Sequence, residues 1–446
     1  MHSPLHHVVV LGLGSSGAAA AHLLRREGAQ VTVLDGKAGE AQQALRAELE
    51  QAGVRVLLGQ PELPDEAFDL CVVSPGVPVS LPWIQTARAR GLPVRAELEL
   101  GWSRRGPATK VIAVTGSNGK SNAVKWMAES LAEAGLSVAI AGNYGPPVCR
   151  VVLEQPRVDW LVLEVSSFQL ETVHDFRAEL GILLNLVPNH LDRHGDFATY
   201  REAKARLFAR SQPGDACLVH EACAADIRAA AGGAGAWYTF GTTPAAAFAY
   251  AQGQVRGQGR LLADVSGTYF GNEVLGCNAA GVIGALACGG LEVAAAERAA
   301  RLFRPLPNRM ELVAEACGVR FINDSKSTTL TALGAAVRMC PGRVRLIAGG
   351  LLKEVDLTSV KEVLAQRAAG VYLIGKASDQ MATEWSDVTR CVKCGTLAAA
   401  VQAAWREAQP GETIILSPGC ASFDQFRNFE DRGEQFRQQV RPLAGE

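Results

Sequence analysis

The sequence of 446 residues lacks a clear excess of either charge. Lys and Arg together number 44 and Asp and Glu number 45, so the formal net charge at pH 7 is −1. A general nucleic-acid-binding protein would carry a basic excess, and this balance argues against that class while leaving room for a local basic pocket. There is also no uninterrupted apolar run of about 18 residues, so we expect no membrane span.

The marks of a secreted protein are missing as well. The residues before the first apolar run include no Lys or Arg, and the run turns glycine-rich at once, so we expect no signal peptide. The 11 cysteines are odd in number and scattered. One CxxC pair, Cys391 and Cys394, has no second pair or nearby histidines that would complete a structural zinc site. Free thiols and a cytoplasmic location are therefore expected.

Apolar runs alternate with helix-like stretches along nearly the whole chain. This alternation is typical of an α/β fold with mostly parallel sheets. The length exceeds what one ordinary core needs. Two polar segments rich in glycine or proline, residues 101–110 and 304–309, resemble linkers. They predict three domains, residues 1–107, 108–303 and 304–446.

The first segment opens with a glycine-rich turn between two strand-like runs. The run HVVVL leads into Gly12, Gly14 and Gly17, and the run QVTVLD ends in Asp35. Such glycines permit a tight turn and the close approach of a pyrophosphate to a helix N-terminus. Two interpretations fit this pattern. Asp35 would bind a ribose hydroxyl in an NAD site, or the fold is Rossmann-like without nicotinamide, and the glycines alone do not decide.

The second segment opens with the stretch VIAVTGSNGKSNAVKWM, residues 111–127. It predicts a strand, a phosphate-binding loop of the compact TGxxGKS form, and a helix. Gly116 and Gly119 would let backbone N–H groups point inward, Lys120 would supply positive charge to the phosphates, and Ser121 would bind Mg²⁺. Asn122 follows the metal position, so its identity threatens the metal less than a change at Ser121 would.

Further polar residues follow the loop in chain order. Glu164 lies in the buried-type run DWLVLE, and His190 and His194 lie in a loop before a helix that carries Lys204. A carboxylate in a buried strand is costly unless it is paired or binds a metal. Each residue alone fits an ordinary salt bridge or an exposed loop. Together with the phosphate loop, they indicate a magnesium-dependent phosphoryl-transfer centre.

In the last segment, four apolar runs end in Asp324, Gly349, Gly375 and Ser417. Loops at the carboxyl ends of parallel strands are where α/β sheets bind ligands, so Lys326, Lys353 and the loop SPGCASFDQF are expected to converge there. Ordinary connections between strands and helices remain the alternative.

These blocks resemble the Mur ligases of peptidoglycan synthesis, and among them the branch that adds D-glutamate. The likeness runs in order along nearly the full chain. It rests on the blocks TGSNGKS, LEVSSFQLE, NHLDRHGDFATYREAK, LPNRMELV, INDSKST and LSPGCASFDQFRNFEDRG. The resemblance implies an N-terminal Rossmann-like domain, a central P-loop ATPase-type domain with a mostly parallel sheet, and a C-terminal Rossmann-like domain.

The resemblance also implies the activity. The chain would be an ATP-dependent ligase that adds D-glutamate to UDP-N-acetylmuramoyl-L-alanine through an acyl phosphate. It would use ATP as cosubstrate with two Mg²⁺ ions, and it would be a cytoplasmic monomer with small-molecule partners only. Two alternatives stay open: a related ligase for L-glutamate or another amino acid, and a nucleotide-binding relative without catalysis. A dehydrogenase does not explain TGSNGKS.

Site residues carry over position by position. UDP, rather than NAD, would lie near Ser15, Ser16 and Asp35. The expected ATP contacts are Thr115, Gly116, Ser117, Asn118, Gly119, Lys120, Ser121, Asn122, Asn278, Arg309 and Asp324. Mg²⁺ would be held by Ser121, Glu164, His190 and Lys204, with Lys204 carbamylated by CO₂. Lys120, Glu164, His190 and Lys204 would be catalytic. Asn143, Ser166 and Gln169 would contact the muramoyl substrate, and Lys326, Thr328, Lys353, Ser422 and Phe429 would contact glutamate.

Some positions depart from the family pattern. They are Asn122 for Thr, Cys277 for His, Gly281 for Asn, Asn308 for His, Thr329 for Asn, and Leu351 and Leu352 for Asp-Gly. The adenine contacts and the edge of the glutamate site are therefore the altered parts. The phosphate and metal positions are kept, so we expect a divergent but working ligase.

Overall fold

Three β-sheets with flanking helices make up the computed structural model, which describes residues 5–155, 157–352 and 356–445. The chain divides into two compact units. Residues up to 271 together with 275–302 form the first unit and contain two of the sheets. Residues 272–274 and those from 303 onward form the second unit, which contains the third sheet.

The first sheet has five parallel strands in the order β3-β2-β1-β4-β5. Its strands are β1 (His7–Leu11), β2 (Gln30–Asp35), β3 (Arg55–Leu58), β4 (Leu70–Val73) and β5 (Val94–Ala96). Its helices are α1 (Ser15–Arg26), α2 (Glu40–Gln51), α3 (Pro82–Ala89) and α4 (Glu97–Ser103). The strand order reverses between β1 and β4, which is the usual ligand position in such sheets.

The second sheet has nine strands in the order β14-β13-β12-β11-β10-β9-β6-β8-β7, parallel except around β13. Its strands are β6 (Lys110–Thr115), β7 (Val138–Gly142), β8 (Trp160–Glu164), β9 (Leu180–Leu183), β10 (Ala216–His220), β11 (Ala236–Gly241), β12 (Phe248–Ala251), β13 (Gln254–Gly257) and β14 (Arg260–Asp264). The helices that follow in the chain are α5 (Lys120–Glu133), α6 (Val148–Glu154), α7 (Ser167–Leu170), α8 (Leu191–His194), α9 (Phe197–Ala205), α10 (Ala224–Ala231), α11 (Glu273–Cys288) and α12 (Val293–Leu302).

The third sheet has six strands in the order β15-β16-β20-β17-β18-β19, and only β15 is antiparallel to its neighbour. Its strands are β15 (Glu311–Ala316), β16 (Val319–Asn323), β17 (Val344–Gly349), β18 (Ala368–Ile374), β19 (Cys391–Gly395) and β20 (Thr413–Leu416). Its helices are α13 (Leu330–Met339), α14 (Lys361–Arg367), α15 (Ser378–Trp385), α16 (Leu397–Glu407) and α17 (Phe429–Val440).

The expected α/β fold with three mostly parallel sheets is confirmed. The central strands are buried on both faces, which is why their sequences are nearly continuous apolar runs. The first predicted linker is shorter than the sequence indicated, because α4 continues to Ser103 while burying Leu98 and Leu100. Among the described helices, none is long and apolar enough to cross a membrane.

Candidate functional site

The phosphate-type loop lies at the carboxyl end of β6, a central strand of the second sheet. Gly116 and Gly119 have φ angles of +147° and +83°, which a residue with a Cβ rarely adopts. Lys120 opens α5, and its amine donates to the carbonyls of Gly116 (2.9 Å) and Ser117 (3.0 Å). The loop therefore curls around a positive charge at the N-terminus of a 14-residue helix.

The segment after β9 holds this loop in place. The Ser117 hydroxyl donates to the Val187 carbonyl (2.9 Å) and accepts from the Val187 N–H (3.0 Å). The Asn118 N–H donates to Asn185 Oδ1 (2.8 Å), and the Asn185 amide returns a bond to the Asn118 carbonyl (3.0 Å). These reciprocal bonds fix the backbone of the loop. The backbone of the loop is thus preorganised.

Lys204 reaches the same loop from α9. Its side chain is 1% exposed, and its amine donates to Thr115 Oγ1 (3.1 Å) and to the Gly116 carbonyl (2.9 Å). Burial lowers the pKa of Lys204 well below its ordinary value, and the charge of Lys120 lowers it further, while Glu164 opposes the change. The fold therefore brings two amines to one loop, and burial favours the neutral form of Lys204.

Glu164 ends β8, next to the loop strand, and pairs in register with Val114. It is 2% exposed, and its Oε1 accepts from the Asn143 amide at 2.5 Å. Its Oε2 is buried and has no hydrogen-bond partner within the described part of the chain. A buried carboxylate oxygen without a partner is costly, so this atom is suited to bind a cation or a ligand donor.

His190 lies just before α8, with a left-handed φ of 55°. Partial burial lowers its pKa, and the positive charge of Lys120 acts in the same direction. Its ring packs edge-on against Phe168 at 4.9 Å between centroids. A non-glycine residue in this backbone region often marks a functional position. The neutral imidazole is the form that can accept a proton or bind a metal.

Two of the predicted substrate residues bind each other. Ser166 caps the short helix α7, where its hydroxyl accepts from the Gln169 N–H (3.2 Å) and its own N–H donates to Gln169 Oε1 (2.9 Å). This reciprocal capping box directly follows Glu164 and Val165 in the chain. The sequence SSFQLE thus builds its own helix start beside the buried carboxylate.

In the first sheet, Ser15 and Ser16 begin α1, and Asp35 ends β2. The two carboxylate oxygens of Asp35 accept the N–H groups of Leu13 (2.6 Å) and Lys37 (2.8 Å). Asp35 therefore closes the glycine-rich turn onto the neighbouring strand end. Its first role is to shape the rim on which Ser15 lies exposed.

In the second unit, Asp324 follows β16 and is buried. Its carboxylate accepts from the Ser417 hydroxyl (2.9 Å) and the Met310 N–H (3.1 Å). Burial raises its pKa to about 7, although the hydrogen bonds from Ser417 and Met310 and the charge of Arg309 act in the opposite direction. The Lys326 amine lies 3.7 Å from the ring centre of Phe429, a cation–π contact.

Three more residues of this unit were predicted to contact glutamate, and the structure describes two of them. Ser422 is 2% exposed, and its carbonyl accepts from Phe426 (2.9 Å). Thr328 is half-buried in the loop before α13. Lys353 lies outside the described residues.

Five of the positions that depart from the family pattern have contacts or a backbone conformation that the structure describes. Asn308 has a φ of 64°, which asparagine tolerates, and its Oδ1 accepts from the Asn323 amide (2.9 Å). A Cβ at Gly281 would lie 3.0 Å from the Phe240 ring, so this ring occupies the space of a larger side chain. The Asn122 amide donates to the Tyr269 hydroxyl (2.8 Å). Thr329 caps α13. Leu351 is 41% exposed and forms a bridge with Ala421.

Sequence reasoning missed Tyr200 and Asn185. The Tyr200 hydroxyl lies 2.9 Å from Ser117 Oγ, and the Lys204 amine lies 4.9 Å from the Tyr200 ring centre. Tyr200 precedes Lys204 by one helical turn, so the i, i+4 spacing was available as a signal. Nothing in the sequence around Asn185 indicates that it would bind the loop.

Comparison with known proteins adds three matched family models. The MurD-like N-terminal domain of Mur ligases matches residues 6–96, the Mur ligase middle domain matches residues 114–271, and the glutamate ligase domain of Mur ligases matches residues 308–420. The solved MurF ligase from Thermotoga maritima in complex with ADP has a TM-score of 0.63 at 14% identity, covering 93% of this chain and 95% of that one. The MurC ligase from the same organism gives 0.58 at 16% identity, covering 98% and 99%. These structures support the fold.

Sequence relatives identify the branch. The UDP-N-acetylmuramoylalanine–D-glutamate ligase of Acidobacterium capsulatum is 37% identical, over 97% of this chain and 95% of the relative. The enzymes of that name from Solibacter usitatus and Myxococcus xanthus are each 36% identical over 98% of this chain, and 97% and 98% of those proteins are covered. At this identity and coverage, the chain belongs to the Mur ligase family, among its UDP-N-acetylmuramoylalanine–D-glutamate ligases.

Proposed function

We propose that this chain joins D-glutamate to UDP-N-acetylmuramoyl-L-alanine through an amide bond, with ATP as cosubstrate, in the synthesis of peptidoglycan precursors. The observation that carries the proposal is the buried contact of Lys204 with the phosphate loop, beside the strand that ends in Glu164. The names of its relatives supply the substrates.

We propose domain limits at residues 1–107, 108–303 and 304–446. Helix α4 ends at Ser103 and β6 begins at Lys110, while α12 ends at Leu302 and β15 begins at Glu311. Each matched family model falls within one of these ranges, which supports the division.

The nucleotide phosphates would lie on the loop from Thr115 to Asn122. The Lys120 amine already faces loop carbonyls, and it would exchange them for phosphate oxygens, whose charge it matches better. Asn278 would border the nucleotide, because its amide lies 2.5 Å from the position a Cβ at Gly119 would take. For the second unit, we retain the assignment of Arg309 and Asp324 to the nucleotide.

Magnesium fits the residues around the loop. Ser121 and Glu164 would hold one ion, and His190 and carbamylated Lys204 would hold the second. The Oε2 of Glu164, which has no hydrogen-bond partner among the described residues, supports this set. The described residues contain no group of three His, Cys, Asp or Glu side chains that could hold a metal, so the set depends on the serine and the modified lysine. Bound Mg²⁺ would offset the negative charge that gathers during phosphoryl transfer.

Carbamylation of Lys204 is consistent with its environment. A neutral amine attacks CO₂, a C–N bond forms, and one proton is released, which leaves an anionic carbamate. Burial favours the neutral amine, as the lowered pKa of Lys204 indicates. The modification would replace a buried cation with oxygen ligands that hard divalent ions prefer.

The chemistry must activate a carboxylate whose own leaving group is oxide. The carboxylate of the L-alanine end would attack the γ-phosphate, forming an acyl phosphate and releasing ADP. The amine of D-glutamate would then attack the acyl carbon, and phosphate would leave with the amide formed. Lys120 would stabilise charge on the transferred group. His190 would accept a proton from the amine as the neutral imidazole, the form that its lowered pKa favours.

The sugar nucleotide and the glutamate would be recognised by different sets of residues. We propose Ser15, Ser16 and Asp35 for the uridine end, and Asn143, Ser166 and Gln169 for the muramoyl part. We propose Lys326, Thr328, Lys353, Ser422 and Phe429 for the incoming glutamate; Lys326 and Phe429 are in contact, which supports one shared pocket.

We also propose that the protein acts in the cytoplasm as a monomer. The eleven cysteines all lie among the described residues, none forms a disulfide, and ten are wholly or partly buried, which suits a reducing compartment.

The test is phosphate release from ATP by the purified chain with UDP-N-acetylmuramoyl-L-alanine and a panel of amino acids. We expect release to require both the sugar nucleotide and D-glutamate. Release with L-glutamate or another amino acid instead would assign the chain to a related ligase. No release with any acceptor, despite ADP binding, would indicate a nucleotide-binding relative without catalysis.

A further inference from the structure

Arg193 lies on α8 and extends across to the first sheet. Its guanidinium donates to the carbonyls of Pro75 (2.8 Å) and Val77 (3.1 Å), in the loop that follows β4. Its side chain is 13% exposed. A guanidinium that serves two backbone carbonyls at once fixes both the position and the direction of the loop.

The loop at residues 74–77 abuts the glycine-rich turn. The Ser74 hydroxyl donates to the Gly12 carbonyl (3.0 Å), and a Cβ at Gly12 would lie 2.7 Å from a methyl group of Val77. The two loops therefore pack without spare room. Any displacement of residues 74–77 would move the turn proposed to face the sugar nucleotide.

The same guanidinium also contacts residues in and just after α7, the short helix that follows β8. Its Nη2 donates to Glu171 Oε2 (2.6 Å) and its Nε to Glu171 Oε1 (3.2 Å), a bidentate pair whose partners are largely buried. The guanidinium also lies 4.0 Å from the ring centre of Phe168. The Phe168 ring also packs against the His190 ring. One side chain thus joins the rim of the first sheet to the residue proposed as base and metal ligand.

We propose that Arg193 is a positioning residue that couples the sugar-nucleotide rim to the phosphate-transfer centre. It holds residues 74–77 against the glycine-rich turn, which faces the sugar nucleotide in the proposed function, and through Phe168 it holds His190. The inference rests on the proposed function and deepens it, because it assigns to α8 a part in recognising the sugar nucleotide.

The experiment compares Arg193→Met and Arg193→Lys with the unsubstituted chain. Methionine keeps an apolar side chain of similar length but has no hydrogen-bond donors. Lysine keeps the positive charge but lacks the planar guanidinium with its paired N–H donors. Titration calorimetry measures the affinity for UDP-N-acetylmuramoyl-L-alanine and, separately, for ADP. We expect Arg193→Met to weaken sugar-nucleotide binding about tenfold or more and ADP binding less than about threefold, with Arg193→Lys between these, because lysine cannot form the bidentate pair.

Arg206→Met is the matched control. Arg206 also donates to backbone carbonyls, those of Leu170 and Glu171, beside the same short helix. We expect Arg206→Met to leave both affinities within about twofold of the unsubstituted chain, since the contacts of an exposed arginine contribute little. A parallel loss of both affinities in Arg193→Met and Arg193→Lys would assign Arg193 a merely structural role and overturn the inference.

Steady-state kinetics separate this inference from the proposed function. The KM for the sugar nucleotide should rise in Arg193→Lys while the KM for ATP stays nearly constant. Equal sugar-nucleotide affinity in the unsubstituted chain and Arg193→Met overturns the inference alone. Normal binding by the unsubstituted chain without D-glutamate-dependent phosphate release overturns the proposed function alone.

Discussion

Glu97 carries a buried carboxyl group, and only one of its two oxygens has a hydrogen-bond partner among the described residues. It begins α4 and is 1% exposed. Its Oε1 accepts from the Cys149 N–H (2.8 Å), while its Oε2 is buried and has no hydrogen-bond partner within the described residues. Burial raises the pKa of Glu97 from 4.5 to about 7, although the bonds from Cys149 act in the opposite direction.

This raised pKa makes stability depend on pH with a definite sign. Between pH 4.5 and 7 the folded chain holds the Glu97 proton while the unfolded chain has released it. The free energy of unfolding must therefore fall as the pH rises through this window, and the loss is complete above the folded pKa. Each tenfold change in proton affinity is worth about 1.4 kcal/mol, so the total loss from this group is about 3 kcal/mol.

The perturbation is Glu97→Gln, which keeps the shape and removes the titration. The glutamine places one amide group where Oε2 was, at a cost that does not change with pH. Urea unfolding of the first unit at pH 5 and pH 8, at constant ionic strength, measures the effect. As the pH rises from 5 to 8, we expect the free energy of unfolding of Glu97→Gln to increase by about 2–3 kcal/mol relative to that of the unsubstituted chain.

Glu99→Gln is the contrasting variant on the same helix. The Glu99 carboxylate accepts from the N–H groups of His174, Asp175 and Phe176 and pairs with Arg95 at 3.3 Å. We expect this substitution to destabilise the chain at both pH values, because charge-assisted bonds are lost. If the stability gap between Glu97→Gln and the unsubstituted chain is the same at pH 5 and pH 8, the assignment of a buried titration to Glu97 is refuted.

Three further predictions concern the candidate site. Lys204→Ala should abolish detectable ligation, and formate should restore part of the phosphate release if a carbamate normally supplies the oxygen ligand; full activity without formate would contradict the role. Ser121→Ala should raise the Mg²⁺ concentration needed for half-maximal activity about tenfold or more, since a metal ligand is removed; an unchanged Mg²⁺ titration would contradict the assignment. Gly119→Ala should weaken ADP binding measured by calorimetry, because a Cβ would lie 2.5 Å from Asn278 at a φ of +83°. Gly135→Ala is its control for backbone strain, with φ of +80° and no atom within 4 Å.

Several elements of the site could be predicted from local sequence. The strand ends at Asp35 and Glu164 and the helix that carries Lys204 lie where the apolar runs indicate. Buried parallel strands read as continuous apolar runs, and polar residues at their carboxyl ends stand out against them. The glycines of the phosphate loop carry their own conformational signature.

Other features depend on residues that are distant in the chain. The sequence pattern treats Asp35 as a ligand contact, yet its carboxylate accepts the N–H groups of Leu13, in the glycine-rich turn after β1, and of Lys37. The family pattern places Asn308 near the nucleotide, yet its buried amide oxygen accepts a hydrogen bond from the Asn323 amide. Such partners are chosen by packing, and no local pattern records which backbone group a side chain will reach.

The sequence by itself determined the fold class, the order of the strands along the chain, the phosphate loop and the family, because these depend on short-range periodicity and on residue types at fixed spacing. Only the tertiary structure decided that Lys204 is buried on the loop, that one oxygen of Glu164 is left without a hydrogen-bond partner within the described residues, and that Arg193 spans two sheets. Burial and charge at a site are sums over neighbours brought together by folding. The sequence therefore specifies which residue stands at each position, whereas the fold determines the pKa of that residue and its partners.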